Sequence, residues 1–197
     1  MSYADRTIDE FLDSVASRNV TPAGGTAAAL VGAIGTALCE MVCLHTIGKD
    51  GYADVEAEMN DVLDDLGTQR ELLLELAERD ADVVDELLAT SPDEPDRVVA
   101  QKRATGVPLA IAEACVPVLE HATVLAKEGN RNAVPDAGTG SFLVHGALRA
   151  SVFTVRCNLD RISDPSFVEE METRATELER SAEIEFGRVI STIERDG

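Results

Sequence analysis

From Thr26 to Ile47 the only acidic or basic side chains are Glu40 and His45. That stretch constrains the fold more than any other. Its length suits a membrane-spanning helix. Against spanning stand its weakly apolar Ala and Gly content, the carboxylate of Glu40 near its middle, and the lack of a second such stretch. A helix that is apolar all round in a soluble protein belongs at the centre of a bundle or in a subunit interface. Gly32 and Gly35 would let a neighbouring backbone come close.

Helical spacing dominates the rest, and no run alternates as a strand would. A first helix is predicted over Thr7 to Ser17, capped by Thr7, with Ile8, Phe11, Leu12 and Val15 on one face. Asn19 to Gly25 is a turn rich in helix breakers. A long acidic helix follows from about Ala53 to Ala89, with a stripe that includes Met59, Val62, Leu66, Leu73 and Ala77. The break Ser91 to Pro95 ends it. Further helices are predicted over Asp96 to Lys127, bent at Pro108 and Pro117, then over Pro135 to Leu159 after the terminator Gly129, and over Pro165 to Arg195. Short connections between long helices predict one all-α domain over residues 1–197, an up-and-down bundle of about six helices with the Ala/Gly-rich one buried.

The surface must be strongly acidic, because 37 Asp and Glu stand against 17 Lys and Arg, a formal net charge of -20. Such a surface repels nucleic acid and anionic membranes. Lysine is confined to Lys49, Lys102 and Lys127, a pattern that suits a salt-rich cytoplasm where ions screen self-repulsion. An ordinary acidic cytosolic protein is the alternative. Cys39, Cys43, Cys115 and Cys157 form no zinc-type pair and no secretory signal is evident, so a reduced, cytoplasmic protein with thiols in its core is expected. His45 falls on a different helix face from Cys39 and Cys43, which leaves a metal cluster without its ligands.

Six places could carry chemistry. Gly24, Gly25 and Thr26 open the apolar helix, where free backbone N–H groups favour anions; an ordinary capped turn is the other reading. Lys49, in Thr46 to Tyr52, is there either to hold a carboxylate or phosphate or as a solvated lysine at a helix end. Gly129 to Gly138 joins two helices and offers Asp136 as a ligand group or a cap. Arg149 and Arg156, seven apart, could grip a dicarboxylate or bridge to the acidic long helix. Asp80 is the sharpest single residue. Leu73, Leu76, Ala77, Val83, Val84 and Leu87 lie three, four and seven residues from it, so a carboxylate interrupts the apolar stripe and faces inward. Burial of a carboxylate is costly unless it is paired, and such groups often serve proton transfer; a structural pair with an arginine is the alternative. Glu40 invites the same argument more weakly.

Pro22-Ala23-Gly24-Gly25-Thr26, Thr46-Ile47-Gly48-Lys49, Val107-Pro108-Leu109, Gly129-Asn130 with Asn132-Ala133-Val134, Asp136-Ala137-Gly138 and Val155-Arg156 with Asn158-Leu159 occur in an order that resembles one family. It comprises the cyclodeaminase domain of formiminotransferase-cyclodeaminase and the stand-alone methenyl-tetrahydrofolate cyclohydrolases. Ala23 replaces a glycine usual there, Pro135 a serine and Thr154 an asparagine, while the acidic pair of the long helix survives as Glu78 and Asp80. There is no room for the transferase domain.

The resemblance implies a homodimer or larger assembly acting on a one-carbon unit held between two nitrogens of tetrahydrofolate. Cyclohydrolase activity is favoured, with cyclodeaminase activity and a non-catalytic folate-binding dimer as alternatives. On that reading Asp80 is the general acid/base and Asp136 orients the pterin or water. Gly24, Gly25, Thr26, Lys49, Asn132 and Arg156 bind substrate, and no metal or cofactor is required.

The charge predicts that the fold weakens in dilute salt, where the Debye length grows to about 30 Å at 0.01 M. Melts followed by circular dichroism across a salt series should show the melting temperature rising with salt. A flat or falling trend rules out the salt-adapted reading.

Overall fold

The computed structural model describes residues 2–91, 93–94 and 96–196. Pro92 and Pro95, two residues of the expected break after the long helix, lie outside them. Six α-helices follow one another: α1 (Ile8–Val15), α2 (Gly24–Thr46), α3 (Glu56–Ala89), α4 (Arg97–Glu128), α5 (Val134–Leu159) and α6 (Pro165–Asp196). Short 3-10 turns at Tyr3–Asp5 and Ala53–Val55 precede α1 and α3. No strand occurs among the described residues.

The helix starts follow local chemistry. Thr7 and Glu10 form a reciprocal capping box, the Thr7 hydroxyl accepting from Glu10 N and the Glu10 carboxylate accepting from Thr7 N, which satisfies two orphan donors of α1. The apolar face expected on α1 is real but is not packed: Ile8 is 79% exposed, and no residue of α1 is buried. α4 runs unbroken through Pro108 and Pro117. It is also, with α2, long and apolar enough to cross a membrane by length and composition, so the apolar stretch is not alone. α4 instead packs against α3, α5 and α6 and carries ion pairs along its outer side, Lys102 to Asp164 at 2.6 Å and Arg103 to Glu86 at 2.6 Å.

α2 lies between α3 and α5, with α4 behind it and α6 laid across α4 and α5. Small residues set these distances. A Cβ on Gly35 would stand 2.7 Å from the carbonyl oxygen of Gly140, and one on Gly140 would stand 2.6 Å from that of Gly35. The two backbones therefore touch directly. Further along, a Cβ on Gly32 would stand 3.4 Å from Leu73 of α3 and 3.5 Å from Ala147 of α5, ordinary contact that leaves room for a methyl. With Gly67 of α3 facing Glu40, these pairs make both neighbours antiparallel to α2. Ala29, Ala33, Cys39, Val42 and Cys43 fill the inner side. The outer side of α2 is open, with Ile34 56% exposed. The helix expected to be buried is thus covered by its own chain on one side only.

Two substitutions separate close approach from helix propensity. Gly35→Ala should destabilise by about 1–3 kcal/mol, because the methyl meets a backbone oxygen that cannot turn aside. Gly106→Ala in α4 meets nothing within 4 Å and should be neutral or stabilising by about 0.5–1 kcal/mol. Urea titration of both variants gives the comparison.

Candidate functional site

Asp80 projects from α3 onto the first turn of α2. It is 3% exposed, as its place on the apolar stripe predicts. The Thr26 hydroxyl donates to Asp80 Oδ2 at 2.9 Å, and the Thr26 backbone N–H also bonds to the carboxylate. The N-cap of α2 is Ala23, whose side chain can accept nothing. Asp80 therefore supplies from another helix the acceptor that a local Ser or Asp would normally provide. Gly25 makes room for it: a Cβ there would lie 2.6 Å from Asp80 Cγ and 2.7 Å from Oδ2. Burial raises the pKa of Asp80 above the ordinary aspartate value, partly offset by the Thr26 bonds. No arginine or lysine pairs with Asp80 among the described residues, which removes the ion-pair alternative.

The N-terminal segment closes over the same end of α3. The Ser2 hydroxyl donates to Glu78 Oε1 at 2.7 Å, and Tyr3 N donates to the same oxygen. Thr21 donates to Asp85 at 3.0 Å. Glu78, the other member of the acidic pair, is thus an anchor for the chain start. Sequence reading passed over Ser2 and Tyr3, because neither belongs to a motif.

Lys49, Asn132 and Asp136 lie at the far end of α2. Twenty-three helical residues separate the ends, about 34 Å at 1.5 Å per residue. There Asn130 donates its backbone N–H to Thr46 Oγ1 at 2.9 Å and its amide to the His45 carbonyl at 2.7 Å. This ties the α4–α5 loop to the end of α2. Gly48 and Gly51 both have positive φ, 69° and 89°, which lets the chain reverse through exposed Lys49. Lys49 makes no ion pair among the described residues. Asn132, also exposed, donates its backbone N–H to Asn130 Oδ1 at 3.1 Å. Asp136 is half-buried in the first turn of α5, where Ala133 is the cap and makes no side-chain bond. Asp136 therefore does not act as a cap. A cavity of about 520 Å³ opens at this end between Tyr52, Val55, Gly129, Arg131, Pro135 and Ile193. Tyr52 and Arg131, which help form it, were not singled out in the sequence.

Arg156 departs from expectation. Its guanidinium meets Glu172 at 2.9 Å and Glu179 at 2.8 Å, both on α6. Arg149 likewise meets Glu183 at 2.8 Å. Two carboxylates already neutralise Arg156, so it fastens α6 to α5 and is not available to a ligand. Glu40 receives Arg70 Nε on both oxygens, at 2.8 and 3.1 Å, and is one half of an ion pair. Cys39, Cys43 and Cys115 are buried, and burial pushes their thiols up to about 12. They pack as apolar residues. Cys157 is exposed, unlike the core thiol expected.

Known proteins share the sequence pattern and the fold of this chain. The profile of the formiminotransferase-cyclodeaminase family matches residues 7–177. A methenyltetrahydrofolate cyclohydrolase of Methylorubrum extorquens is 37% identical over 89% of this chain and 88% of its own length. The rat formimidoyltransferase-cyclodeaminase is 26% identical over 98% of this chain, which spans 38% of that longer protein. The crystal structure of formiminotetrahydrofolate cyclodeaminase from Thermotoga maritima superposes with a TM-score of 0.94 at 32% identity, covering 97% of both chains.

The environment of Asp80 makes a signed prediction about stability. Its folded pKa is raised, so between the unfolded and folded values the native state holds the proton more tightly. Stability then falls as pH rises through that window and stays reduced above it. Asp80→Asn keeps an acceptor for Thr26 and removes the buried charge. The variant should melt at or above the wild-type temperature at pH 7, with the advantage vanishing as pH drops towards 4. Calorimetric melts across that range test it, and a large loss of stability at pH 7 would mean the charge has a partner.

Proposed function

This chain belongs to the formiminotransferase-cyclodeaminase family, and from that premise we propose that it is a folate one-carbon enzyme, a methenyl-tetrahydrofolate cyclohydrolase. The observation that carries the reading is Asp80, a dry carboxylate set against the first turn of α2 by Gly25 and Thr26. Near-complete mutual coverage with a cyclohydrolase supports the choice of reaction.

The chemistry needs one proton carrier. Water adds to the carbon bridging N5 and N10 of the methenyl cation, and Asp80 takes a proton from that water. The tetrahedral carbon then collapses to a formyl group as its bond to N5 breaks, leaving 10-formyl-tetrahydrofolate. Asp80 passes a proton to the departing N5, and the second proton of the water goes to solvent. A raised pKa moves Asp80 towards the pH at which it can both accept and donate, which is what general acid/base catalysis requires. The N–H groups at the start of α2 would stabilise negative charge as it develops on oxygen. Lys49 would hold an anionic part of the folate. Asn132 and Asp136, one helix length from Asp80 in the same chain, would contact the pterin or water only from a second copy. The protein would work as a homodimer in the cytoplasm, and its own residues supply these steps without a resident metal or cofactor.

The reverse sense of the same chemistry is the second reading. The likeness to a cyclodeaminase over the whole chain favours it: N10 attacks the formimino carbon of 5-formimino-tetrahydrofolate, ammonia leaves, and the methenyl bridge closes. Both readings use the same carboxylate.

Absorbance of methenyl-tetrahydrofolate distinguishes them. Its accelerated loss marks the hydrolase, its gain from formimino-tetrahydrofolate the deaminase, and no change in either leaves a binding protein. Asp80→Asn should lower kcat by about a hundredfold or more while the fold and ligand affinity persist. Full activity in that variant would exclude Asp80 from the mechanism.

A further inference from the structure

Tyr3 is held from three directions. Its backbone N–H donates to Glu78 Oε1, the oxygen that the Ser2 hydroxyl also reaches at 2.7 Å. Its ring meets the Phe11 ring in a T-shaped pair, with centroids 5.8 Å apart and planes at 79°. The Arg6 guanidinium lies over the same ring, 4.7 Å from its centre, and is itself steadied by the Ser14 hydroxyl at 3.3 Å. Both ring contacts favour particular orientations and so fix the ring. The hydroxyl is treated differently. It makes no hydrogen bond among the described residues, although Tyr3 is half-buried and a buried tyrosine hydroxyl usually finds a partner. A clamped ring with an unpaired donor is preorganised for a partner from outside the chain.

The tethers set where that donor stands. Glu78 precedes Asp80 on α3, and Asp85 beyond it accepts from the Thr21 hydroxyl at 3.0 Å. Residues 2–21 are therefore fastened to α3 on both sides of Asp80. The phenol feels all three acids. Burial raises its pKa most, Arg6 lowers it, and Glu78, Asp85 and Asp80 raise it further. The proton stays on at neutral pH, so the hydroxyl acts as a donor. The three carboxylates already accept from Ser2 and Tyr3 N, from Thr21 and from Thr26.

A folate brings a suitable acceptor. In its pterin ring the C4 carbonyl oxygen lies beside N5, the nitrogen whose bond to the one-carbon unit is made or broken. When N5 faces Asp80, that oxygen comes to the neighbouring donor. Three acids at this end of α3 repel the carboxylates of the folate and leave an uncharged carbonyl as the acceptor that fits. We propose that the Tyr3 hydroxyl donates to the C4 carbonyl oxygen of the pterin, so that it turns N5 towards Asp80 and selects 4-oxo folates over 4-amino ones. Tyr3 binds substrate and carries no proton in the reaction. The inference rests on Asp80 serving a folate.

Calorimetric titration compares tetrahydrofolate with its 4-amino-4-deoxy analogue, which presents a donor where tetrahydrofolate has the acceptor. Wild-type protein should prefer tetrahydrofolate. Tyr3→Phe keeps the ring with its Phe11 and Arg6 contacts, so its melting temperature should match wild type. It should bind tetrahydrofolate about three- to tenfold more weakly and the 4-amino analogue no more weakly than wild type does. In turnover, KM for methenyl-tetrahydrofolate should rise by the same factor while kcat stays within about twofold. Equal losses for both ligands, unchanged affinity for tetrahydrofolate, or a fall in kcat at constant KM overturns the contact.

Glu78→Ala gives a second measure by releasing the segment while Tyr3 is kept. It should show the same ligand-selective loss, and adding Tyr3→Phe should weaken tetrahydrofolate no further, because both changes remove one contact. Additive losses overturn the role of the tether. Should wild-type protein bind tetrahydrofolate but turn over neither methenyl- nor formimino-tetrahydrofolate, the enzyme reading fails and the titrations still decide the Tyr3 contact. Should wild type be active and Tyr3→Phe bind both ligands as wild type does, the Tyr3 contact fails and the enzyme reading stands. Wild-type protein that binds no tetrahydrofolate overturns both.

Discussion

Everything in this molecule depends on how closely α2 can approach its two neighbours. The backbone contact between Gly35 and Gly140 brings α5 against α2 with nothing between them, and Leu73 of α3 faces Gly32 on the other flank. Helices locked at their middles have no freedom left at their ends. That register delivers Asp80 onto Gly25 at one end and Asn130 onto Thr46 at the other. The small residues of α2 thus act as a gauge for two distant polar contacts. A register shift of one turn, about 5.4 Å, would separate Asp80 from Thr26 altogether.

Asp80 illustrates how a fold can make a carboxylate useful without a cation beside it. Burial alone would force the proton on, and an ion pair would force it off. Here the first turn of α2 provides two donors, which hold the charged form partway against desolvation. The cost of the dry carboxylate is offset by satisfying N–H groups that Ala23 leaves uncapped. One side chain therefore serves the stability of α2 and the chemistry proposed at its start. Elsewhere carboxylates are matched to arginines: Glu40 with Arg70, and Glu172 and Glu179 with Arg156.

Much of the fold was legible in the residues because helices announce themselves locally. The capping box at Thr7 and Glu10, the apolar period of α3 and the breaker at Gly129 each reflect contacts within a few residues. The inward placement of Asp80 was legible for the same reason, since a period of 3.6 fixes which side of a helix a residue occupies. Partners were not legible. Arg156 was expected to grip a dicarboxylate or to bridge to the acidic long helix α3, whereas the acids that hold it are sixteen and more positions away on α6. The apolar face of α1 looked like core, yet none of its residues is buried, and among the described residues the Phe11 ring meets only the Tyr3 ring beside it.

By itself the sequence determined the helical class, the family, the inward face of Asp80 and the acidity of the surface, all set by residue type and short-range spacing. Only the tertiary structure decided that the expected site residues fall into two groups at opposite ends of α2. Motif order along a chain records no distance, and a straight helix of 23 residues holds its ends apart however well both ends match one family. Likewise only the packed bundle distinguished the covered side of α2 from the bare one. A helix apolar all round gives no local sign of which neighbours its own chain provides.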